Sequence, residues 1–519
     1  MSPQTKRLFL WFLTGFFILF IVLILISLFH NFTRPKLVST PAKELRGVWM
    51  SRFDYAESFP SHDQDSIRQY IAKSFQQIRA ANLNVVFFQI RGNGDVLYPS
   101  RYEPWSALLT GKLGQHPGWD PLAFAIQQAH ALGLELHAWV NVFPAWRGTT
   151  IPPRTKPIHP LLSHPEWLVC DSSGRAMPKS EHYITFSPGN PAVHEHILRV
   201  IAEIVSNYDV DGIHFDYVRY PEGSRQMGYS YDRVSLARFK SPISNPLNLD
   251  WDDWQREQVT TFIAKAYDCI TNIKPYVKVS AAVIGNYKTS GWNGYYTVFQ
   301  DARRWAEIGK IDWIIPMIYY GRFQRANSFP LVLKEWKNYI EDERPVFAGM
   351  GVYRLEWNEI LDEISDVRNN KLKGMVFFAI SSLDSSKLAA LKTLKFFYPA
   401  LVPPCPWKIR TVLSAPSNFN VTETADHNLL FTWQVPPAER SKYHQFVIYR
   451  ERQKNIDYKN GENIFAIIPG DKDEYQIKAK QFNSRFYYII TGIDRVGNES
   501  PPSNAISPGQ SSSNNKERL

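Results

Sequence analysis

Residues 211–221 join a short apolar run to side chains that can move a proton. The sequence there is Asp-Gly-Ile-His-Phe-Asp-Tyr-Val-Arg-Tyr-Pro. Its apolar residues follow an Asp-Gly turn signal and predict a buried strand, with Asp216 at the C-terminal end beside Tyr217 and Arg219. A carboxyl group in such surroundings can act as an acid or a base at a glycosidic bond. The structural alternative is an aspartate that caps the next helix or pairs with Arg219.

Cleavage of a glycosidic bond usually needs a second carboxyl group. Asp95 is the best remaining candidate, because the strand-like segment 277–283 carries no acid. Its alternative role is that of a turn residue bound to the backbone of the Gly-Asn-Gly that precedes it. Asp54 is a weaker candidate for the same position.

A second chemical route needs only one enzymic carboxylate of this kind. The acetamido group of an N-acetyl sugar attacks its own anomeric carbon, while Asp216 orients and stabilises that group. Tyr319 would hydrogen-bond to the same group. This route fits an N-acetylated polymer and leaves the proton donor unassigned.

Polar and aromatic side chains at other predicted strand ends are candidate substrate-binding groups. They would bind hydroxyls, orient Asp216 or stack on sugar faces. These candidates are Arg91, His137, Asn141, His214, Tyr217, Arg219, Tyr319, Trp139 and Trp292. For the two histidines the alternative is a satisfied core residue, because strand alternation decides whether each ring points inward. No spacing of zinc or calcium ligands occurs, and we predict neither a metal nor a cofactor.

These side chains need a scaffold that gathers the strand ends on one face. Strands are predicted at 46–51, 84–90, 134–142, 212–217, 277–283, 313–319, 346–351 and 375–380. Helices are predicted at 65–81, 121–132, 191–208, 252–273, 297–308, 331–340, 357–369 and 385–397. This alternation predicts an α/β fold of the (β/α)8 TIM-barrel type over residues 44–398. The alternative, an open doubly wound sheet, would need a glycine fingerprint, and the Arg-Gly-Asn-Gly at 91–94 lacks the third glycine.

Two long segments, 143–188 and 220–246, follow the third and fourth predicted strands. In a barrel both would lie on the face that carries the chemistry. They predict a groove that holds an extended polymer, with drift of surface loops as the alternative.

Residues 8–29 form an almost unbroken apolar run of 22 residues, preceded by Lys6 and Arg7. Such a run is long enough to cross a bilayer, so we predict that residues 1–29 are a cytoplasmic stub and a transmembrane anchor. Residues 30–43 would be a linker, and the rest of the chain would lie outside the cytoplasm. Cleavage as a signal peptide is the alternative.

The composition sets further limits on the class of protein. Lysine plus arginine exceeds aspartate plus glutamate by 59 − 49 = 10, and the excess is spread along the chain. This balance suits ordinary solubility or attraction to a polyanionic surface. A nucleic-acid partner is disfavoured by the predicted anchor and by the lack of a recognition motif. Three widely spaced cysteines predict no disulfide framework.

The pattern changes after the barrel. Residues 399–413 are a proline-rich connector, and short β-type runs separated by turn residues fill 414–507. Together with Trp433 and the ending Asp-Arg-Val-Gly-Asn-Glu-Ser at 494–500, they resemble a fibronectin type III domain, which we predict to be a spacer. Residues 508–519 are polar and predict a disordered tail.

Five motifs in order resemble the glycosyl-hydrolase-like family 10 domain. They are Glu-Leu-Arg-Gly-Val-Trp at 44–49, Phe-Gln-Ile-Arg-Gly-Asn-Gly-Asp at 88–95, His-Ala-Trp-Val-Asn at 137–141, the motif at 211–221, and Asp-Trp-Ile-Ile-Pro-Met-Ile-Tyr-Tyr at 312–320. The resemblance implies a (β/α)8 barrel, an envelope location and hydrolysis of a glycan such as denuded peptidoglycan. One departure is that a single Asp216 precedes Tyr217, where the family often has two aspartates.

A fainter likeness to chitinase-type family 18 barrels rests on Asp211, Asp216 and the Met-Ile-Tyr at 317–319. Here His214 and Val218 replace the middle aspartate and the acid glutamate of that family. The usual chitinase acid is therefore missing, and the chain is not a chitinase of that type.

Taken together, the sequence predicts a membrane-anchored, extracytoplasmic glycoside hydrolase of a cell-envelope polysaccharide, with peptidoglycan glycan strands favoured. The alternative is a non-catalytic glycan-binding envelope scaffold. A carboxyl group roughly 5–10 Å from Asp216 in an open groove, or a pocket for an acetamido group, would distinguish the enzyme from the scaffold. Neither protein partners nor an oligomeric state follow from the sequence.

Overall fold

The computed structural model describes residues 40–59, 61–222, 228–289, 291–340, 343–410, 412–483 and 485–507. The predicted membrane anchor at 1–29, nearly all of the linker and the predicted tail at 508–519 lie outside the described residues. Within the described ranges, every helix is too short or too polar to cross a membrane.

Eight parallel strands close into a barrel. In chain order the strands up to residue 378 are β1 (Leu45–Met50), β2 (Val85–Arg91), β3 (Glu135–Asn141), β4 (Pro144–Arg147), β5 (Tyr183–Thr185), β6 (Gly212–Asp216), β7 (Lys278–Ile284), β8 (Trp313–Ile318), β9 (Ala348–Gly351) and β10 (Gly374–Phe378). All except β4 and β5 belong to the barrel, and β10 pairs with β1 to close it. The predicted TIM-barrel fold is confirmed, because the eight predicted strands coincide with these eight.

Helices connect the barrel strands. They are α1 (Gln64–Ala80), α2 (Pro121–Ala131), α3 (Pro160–Ser163), α4 (Pro191–Asn207), α5 (Arg233–Phe239), α6 (Trp251–Ile273), α7 (Gly294–Thr297), α8 (Ala302–Glu307), α9 (Phe329–Ile340), α10 (Trp357–Asn369) and α11 (Ser385–Ala390). A side-chain oxygen of an Asp or Asn caps the first turn of many of them, as Asp250 does for α6. The helix predicted at 297–308 is shorter in the structure, where only α8 (Ala302–Glu307) lies within that range. Phe299, which precedes it, has a left-handed backbone with φ 56°.

The segment predicted as a long loop after β3 has structure of its own. β4 and β5 pair antiparallel within it, and α3 lies between them. The loop after β6 likewise carries α5, with residues 223–227 outside the described part. Both segments follow the C-terminal ends of barrel strands, so they rise above the face where TIM-barrel sites form.

The barrel interior is packed with large side chains. Trp49 donates its indole N–H to Nε2 of His214 at 2.9 Å, and Nδ1 of His214 lies 2.8 Å from the hydroxyl of Ser280. His137 stacks on Trp313 with ring centroids 4.9 Å apart. The interior is thus a filled core and not a channel, as in other barrels of this size.

The C-terminal region forms two small antiparallel sheets. Its strands are β11 (Ser417–Glu423), β12 (Asn428–Gln434), β13 (Gln445–Glu451), β14 (Ile464–Pro469), β15 (Glu474–Lys478) and β16 (Tyr487–Ile493). One sheet has the order β11-β12-β15 and the other β14-β13-β16. Trp433, as predicted, is buried in the core with Phe431 and Phe446. The fibronectin type III assignment remains a prediction.

The connector and the C-terminal sheets close the N-terminal mouth of the barrel. Cys405 of the connector and Val496, which follows β16, pack into the apolar cluster that contains Trp313. Asp312 accepts hydrogen bonds from the Trp407 indole at 2.6 Å and the Lys408 ammonium at 3.0 Å. The C-terminal region therefore contributes to the packing of the barrel, and its role as a spacer stays a prediction.

Candidate active site

Asp216 is the last residue of β6 and lies at the C-terminal face of the barrel. Its side chain is 7% exposed, and one carboxyl oxygen accepts the Tyr217 backbone N–H at 2.6 Å. Tyr217 has φ 50°, so the chain turns sharply where the strand ends. Burial raises the pKa of Asp216 to about 6, against the opposing effects of Arg219, the Tyr217 N–H and the Trp139 indole. This carboxyl group can therefore be protonated close to neutral pH.

A chain of amide groups lies beside this carboxyl. Asn141 is the register partner of Asp216 on the neighbouring strand β3. The Gln89 amide and the Trp139 indole each donate to the Asn141 carbonyl oxygen at 3.0 Å. The amide nitrogen of Asn141 is buried and has no hydrogen-bond partner in the described chain. A buried donor without a partner is costly, so a bound acceptor would be stabilised there.

Arg91, at the end of β2, is completely buried and supports the segment that carries Asn141. Its guanidinium pairs with Glu103 at 2.6 Å and donates to the backbone carbonyls of Asn141 and Val142. His196 also contacts Glu103, at 2.9 Å. Burial raises the pKa of Glu103, but the charges and hydrogen bonds of Arg91 and His196 outweigh it and lower this pKa to about 2. Arg91 thus holds the end of β3 in place and does not face the cleft.

Asp95, the predicted second carboxylate, is held in an ion pair. Its carboxylate lies 3.1 Å from the Arg52 guanidinium and accepts the Asn93 backbone N–H at 3.0 Å. Asp54 accepts both the backbone N–H and the hydroxyl of Ser51 at 2.7 Å. Neither carboxylate contacts Asp216 in the described chain, so the catalytic role of Asp95 stays a prediction.

The two candidate histidines lie inside the barrel core. His137 and His214 are both fully buried, and burial lowers the pKa of each ring. His137 contacts Glu135 at 3.2 Å, and His214 is held by Trp49 and Ser280. These positions match the core alternative, because neither ring opens onto the cleft.

A cluster of aromatic rings lies near Asp216. Tyr319 stacks on Phe378 with centroids 5.7 Å apart, and Tyr353 meets Tyr319 edge-on at 6.0 Å. Burial, with a smaller contribution from Asp216, raises the pKa of Tyr319 well above its usual value. Its hydroxyl therefore remains protonated and can donate. Tyr353 is 57% exposed and is absent from the sequence-based candidates, although its place directly after β9 is an available signal.

A cavity of about 620 Å³ opens beside Tyr217, where the loops after β1, β3 and β6 meet. Its walls include Phe53, Arg147, Tyr183, Tyr217, Arg219 and Glu222. The guanidinium of Arg219 lies 4.9 Å from the centroid of the Tyr217 ring and 5.6 Å from that of Trp292. The site thus brings Asp216, Tyr217, Arg219 and Trp292 together. Phe53, Arg147 and Tyr183 are not predicted from the sequence, because the segments after β1 and β3 that carry them contain no motif at these positions.

The arrangement can perform acid–base chemistry on a bound saccharide. A buried carboxyl with a raised pKa, protonated tyrosine hydroxyls and flat rings all lie at one end of the barrel. Rings and polar edges of this kind bind sugars through stacking and hydrogen bonds. No group of three or more His, Cys, Asp or Glu side chains in the described ranges is arranged to hold a metal ion.

The chain is similar to known glycosyl hydrolases in sequence. A family model described as "Glycosyl hydrolase-like 10" matches residues 44–361. The chain is 28% identical to the glycosyl hydrolase YngK of Bacillus subtilis (strain 168) over 495 residues. This alignment covers 89% of this chain and 92% of YngK. It is 29% identical over 343 residues to the glycosyl hydrolase DigH of Escherichia coli (strain K12), across 62% of this chain and 76% of DigH. Among solved structures, the PgaB (BpsB) glycoside hydrolase domain of Bordetella bronchiseptica is similar with a TM-score of 0.47 and 12% identity, across 68% of this chain and 99% of that domain.

Proposed function

The chain belongs to the glycosyl hydrolase-like 10 family, and we propose that this glycoside hydrolase cleaves N-acetylated glycan strands of the cell envelope, with peptidoglycan strands as the substrate. The observation that carries the proposal is Asp216. It is a buried carboxyl at the C-terminal end of a barrel strand, and its pKa is raised to about 6. The next residue, Tyr217, lines the cavity, and Tyr319 lies close enough to Asp216 to feel its charge.

In the proposed mechanism Asp216 is the general acid. It donates its proton to the glycosidic oxygen as the bond to the anomeric carbon breaks. The acetamido oxygen of the same sugar attacks that carbon, and the Tyr319 hydroxyl hydrogen-bonds to the acetamido group. A water molecule then opens the cyclic intermediate and returns a proton to Asp216, which restores the enzyme.

The substrate's own nucleophile is favoured because the candidate second carboxylates are committed elsewhere. Asp95 is paired with Arg52, and Asp54 accepts two hydrogen bonds from Ser51. A mechanism with one enzymic carboxyl predicts that the configuration at the anomeric carbon is retained. It also predicts that a glycan without N-acetyl groups is not cleaved.

The experiment is release of reducing ends from two substrates by the purified full chain. One substrate is whole peptidoglycan, and the other is the same glycan stripped of its peptides. We expect cleavage of the stripped glycan by the native protein and none by Asp216→Asn. If neither substrate is cleaved although the glycan binds, the hydrolase proposal for peptidoglycan is wrong.

A matched control is Asp232→Asn, which changes a buried aspartate of the loop after β6 that accepts hydrogen bonds from Ser187 and Ser235. It should retain cleavage if it folds. The acetamido route has its own test, because chemical removal of the N-acetyl groups should abolish cleavage by the native protein. Efficient cleavage of the deacetylated glycan would instead require a nucleophilic side chain.

The proposed location is outside the cytoplasm, with residues 1–29 as the anchor. The support is the apolar run of 22 residues in the sequence. Extraction of membranes with alkaline carbonate should leave the full chain in the pellet and release a chain that lacks residues 1–39. Release of the full chain would contradict the anchor.

A further inference from the structure

We propose that the cavity lined by Tyr217 and Arg219 binds a carboxylate carried by a sugar of the substrate, and that the Arg219 guanidinium is its main contact. The inference rests on the proposed function and narrows the substrate to a glycan with acidic sugars. It assigns a specificity role to a residue that the sequence marks only as a general binding group.

Arg219 is a buried cation that forms no ion pair shorter than 3.9 Å among the described residues. It is 7% exposed, and its Nε atom is buried with no hydrogen-bond partner in the described chain. Its nearest ion-pair partner is the Glu222 carboxylate at 3.9 Å, and that side chain is 73% exposed. A contact of this length with a solvated carboxylate contributes little. A buried guanidinium that keeps unused donors is most stable when a bound anion accepts from them.

Two aromatic rings fix the orientation of this guanidinium. Its central carbon lies over both rings, 4.9 Å from the centroid of Tyr217 and 5.6 Å from that of Trp292. Contacts of a guanidinium with aromatic rings do not use its N–H groups, and the Nε of Arg219 has no hydrogen-bond partner in the described chain. An arginine held in this way suits a planar carboxylate, which can accept two parallel hydrogen bonds.

Arg147 provides a second cation on the wall of the same cavity. It packs 5.5 Å from the ring of Phe53, and its Nε donates to the backbone carbonyl of Glu181 at 3.1 Å. Because Arg147 is exposed, we expect it to contribute less than Arg219. Glu181 and Glu222 also line the cavity, but both side chains face solvent. The buried charge in the cavity wall is thus that of Arg219.

The ligand chemistry follows from the volume and the proposed reaction. A cavity of about 620 Å³ has room for a whole sugar ring with its substituent. In peptide-free peptidoglycan, every second sugar carries a lactyl group with a free carboxylate. When a peptide is attached, the same carbon forms an amide and has no charge. The subsite therefore assigns Arg219 to the recognition of the free lactyl carboxylate.

The test is a comparison of binding that does not depend on turnover. The Asp216→Asn chain is titrated with peptide-free glycan and with the same glycan after its carboxyl groups have been converted to methylamides. We expect roughly 10- to 100-fold tighter binding of the native glycan, the range for a hydrogen-bonded charged group. Adding Arg219→Gln should reduce the affinity for native glycan to that for the amide and leave the amide affinity unchanged.

Two controls make the result specific. Arg219→Lys keeps the charge but not the planar fork, so it should give an intermediate preference, and it replaces Arg219→Gln if that variant does not fold. Arg175→Gln removes an exposed arginine that pairs with Asp171 outside the cavity wall, and it should leave the preference intact.

Equal affinity of the Asp216→Asn chain for both glycans would overturn the inference. So would an Arg219→Gln variant that loses affinity for both glycans equally, because the arginine would then act only on the shape of the site. These results differ from failure of the proposed function. A clear carboxylate preference without any cleavage by the native chain would overturn the hydrolase proposal alone.

Discussion

Asp211 and Asp216 lie at opposite ends of the same barrel strand. They are buried to a similar extent, but the pKa values of their carboxyl groups shift in opposite directions. Asp211 precedes β6 at the closed end of the barrel and is 4% exposed, while Asp216 ends β6 at the open face and is 7% exposed. Burial alone would raise the pKa of Asp211, but His130 and Arg495 hold it well below its usual range. For Asp216 burial prevails, and its pKa rises to about 6.

The difference shows that partners, and not depth, decide the state of a buried carboxyl. Asp211 accepts from His130 at 2.8 Å, from the Leu136 backbone N–H at 2.9 Å and from Arg495 at 3.1 Å. Asp216 accepts one backbone N–H from Tyr217, and Arg219 lies nearby without an ion pair to Asp216 among the described residues. At the closed end, the carboxylates of Asp211 and Asp312 bind residues of the connector and the C-terminal region. At the open face, the Asp216 carboxyl has no ion pair of this kind in the described ranges and can take part in a reaction.

The largest expected effect is the loss of activity in Asp216→Asn. An amide cannot donate the proton, so kcat/KM should fall by about 10³-fold or more. The unfolding free energy at pH 8 should be at least that of the native chain, because the variant no longer buries a charge. Urea denaturation and a reducing-end assay measure the two quantities. A variant that is both inactive and much less stable would mean that Asp216 is structural.

The opposite pattern is expected at the closed end. Asp211→Asn leaves Arg495 and His130 without their shared carboxylate, which should cost about 3 kcal/mol of unfolding free energy. The variant should keep most of its kcat/KM at temperatures where it is folded. A selective loss of activity with unchanged stability would break the comparison.

Glu363 of α10 offers an independent test of a buried carboxyl without a cationic partner. Neither of its oxygens has a hydrogen-bond partner in the described chain. Burial, with Glu359 and Asp366 nearby, raises its pKa to about 9. Its contribution to stability is fully present below pH 4.5, its ordinary pKa, and is lost as the pH rises through about 9.

Relative to Glu363→Gln, the native chain should therefore lose up to about 1.4 kcal/mol of unfolding free energy per pH unit across that window. Urea denaturation of both chains between pH 5 and about 9 measures the difference. Parallel stability curves for the two chains would show that Glu363 is ionised in the fold or has found a partner.

The smallest expected effect concerns the pH profile of the reaction. A general acid is active when protonated, so kcat/KM should decline as the pH rises through about 6, the pKa of Asp216. Arg219 lowers this pKa, so Arg219→Gln should move the alkaline limb to higher pH. The limb is measured on the methylamide glycan, which has no carboxylate for Arg219 to bind. An unchanged or lower midpoint would mean that Arg219 does not act on Asp216.

Much of the scaffold follows from signals that lie close together in the chain. An apolar run after Asp-Gly predicts β6, the strand that ends at Asp216. The capping residue Asp250 predicts the start of α6, which follows Asp250 directly. Both signals are local, because the spacing of apolar residues and the capping residue of a helix are set by residues that are neighbours in the chain.

Other contacts are not predictable from the sequence. Two of them join residues far apart in the chain, which only the folded barrel brings together: Arg52 with Asp95, and Cys405 with Trp313. The ion pair of Asp95 shows the consequence, because the sequence marks this residue as a candidate second carboxylate and the fold gives it a cationic partner.

The barrel, the family and the carboxyl at the end of β6 can all be read from the amino-acid sequence, because apolar periodicity and short motifs are written within a few residues. Which buried carboxyls are paired, and which one is free to titrate, depends on the folded chain. The same holds for the unused donor that Arg219 keeps beside a cavity. A pKa depends on the charges and dipoles within a few ångströms, and these come from strands far apart in the chain.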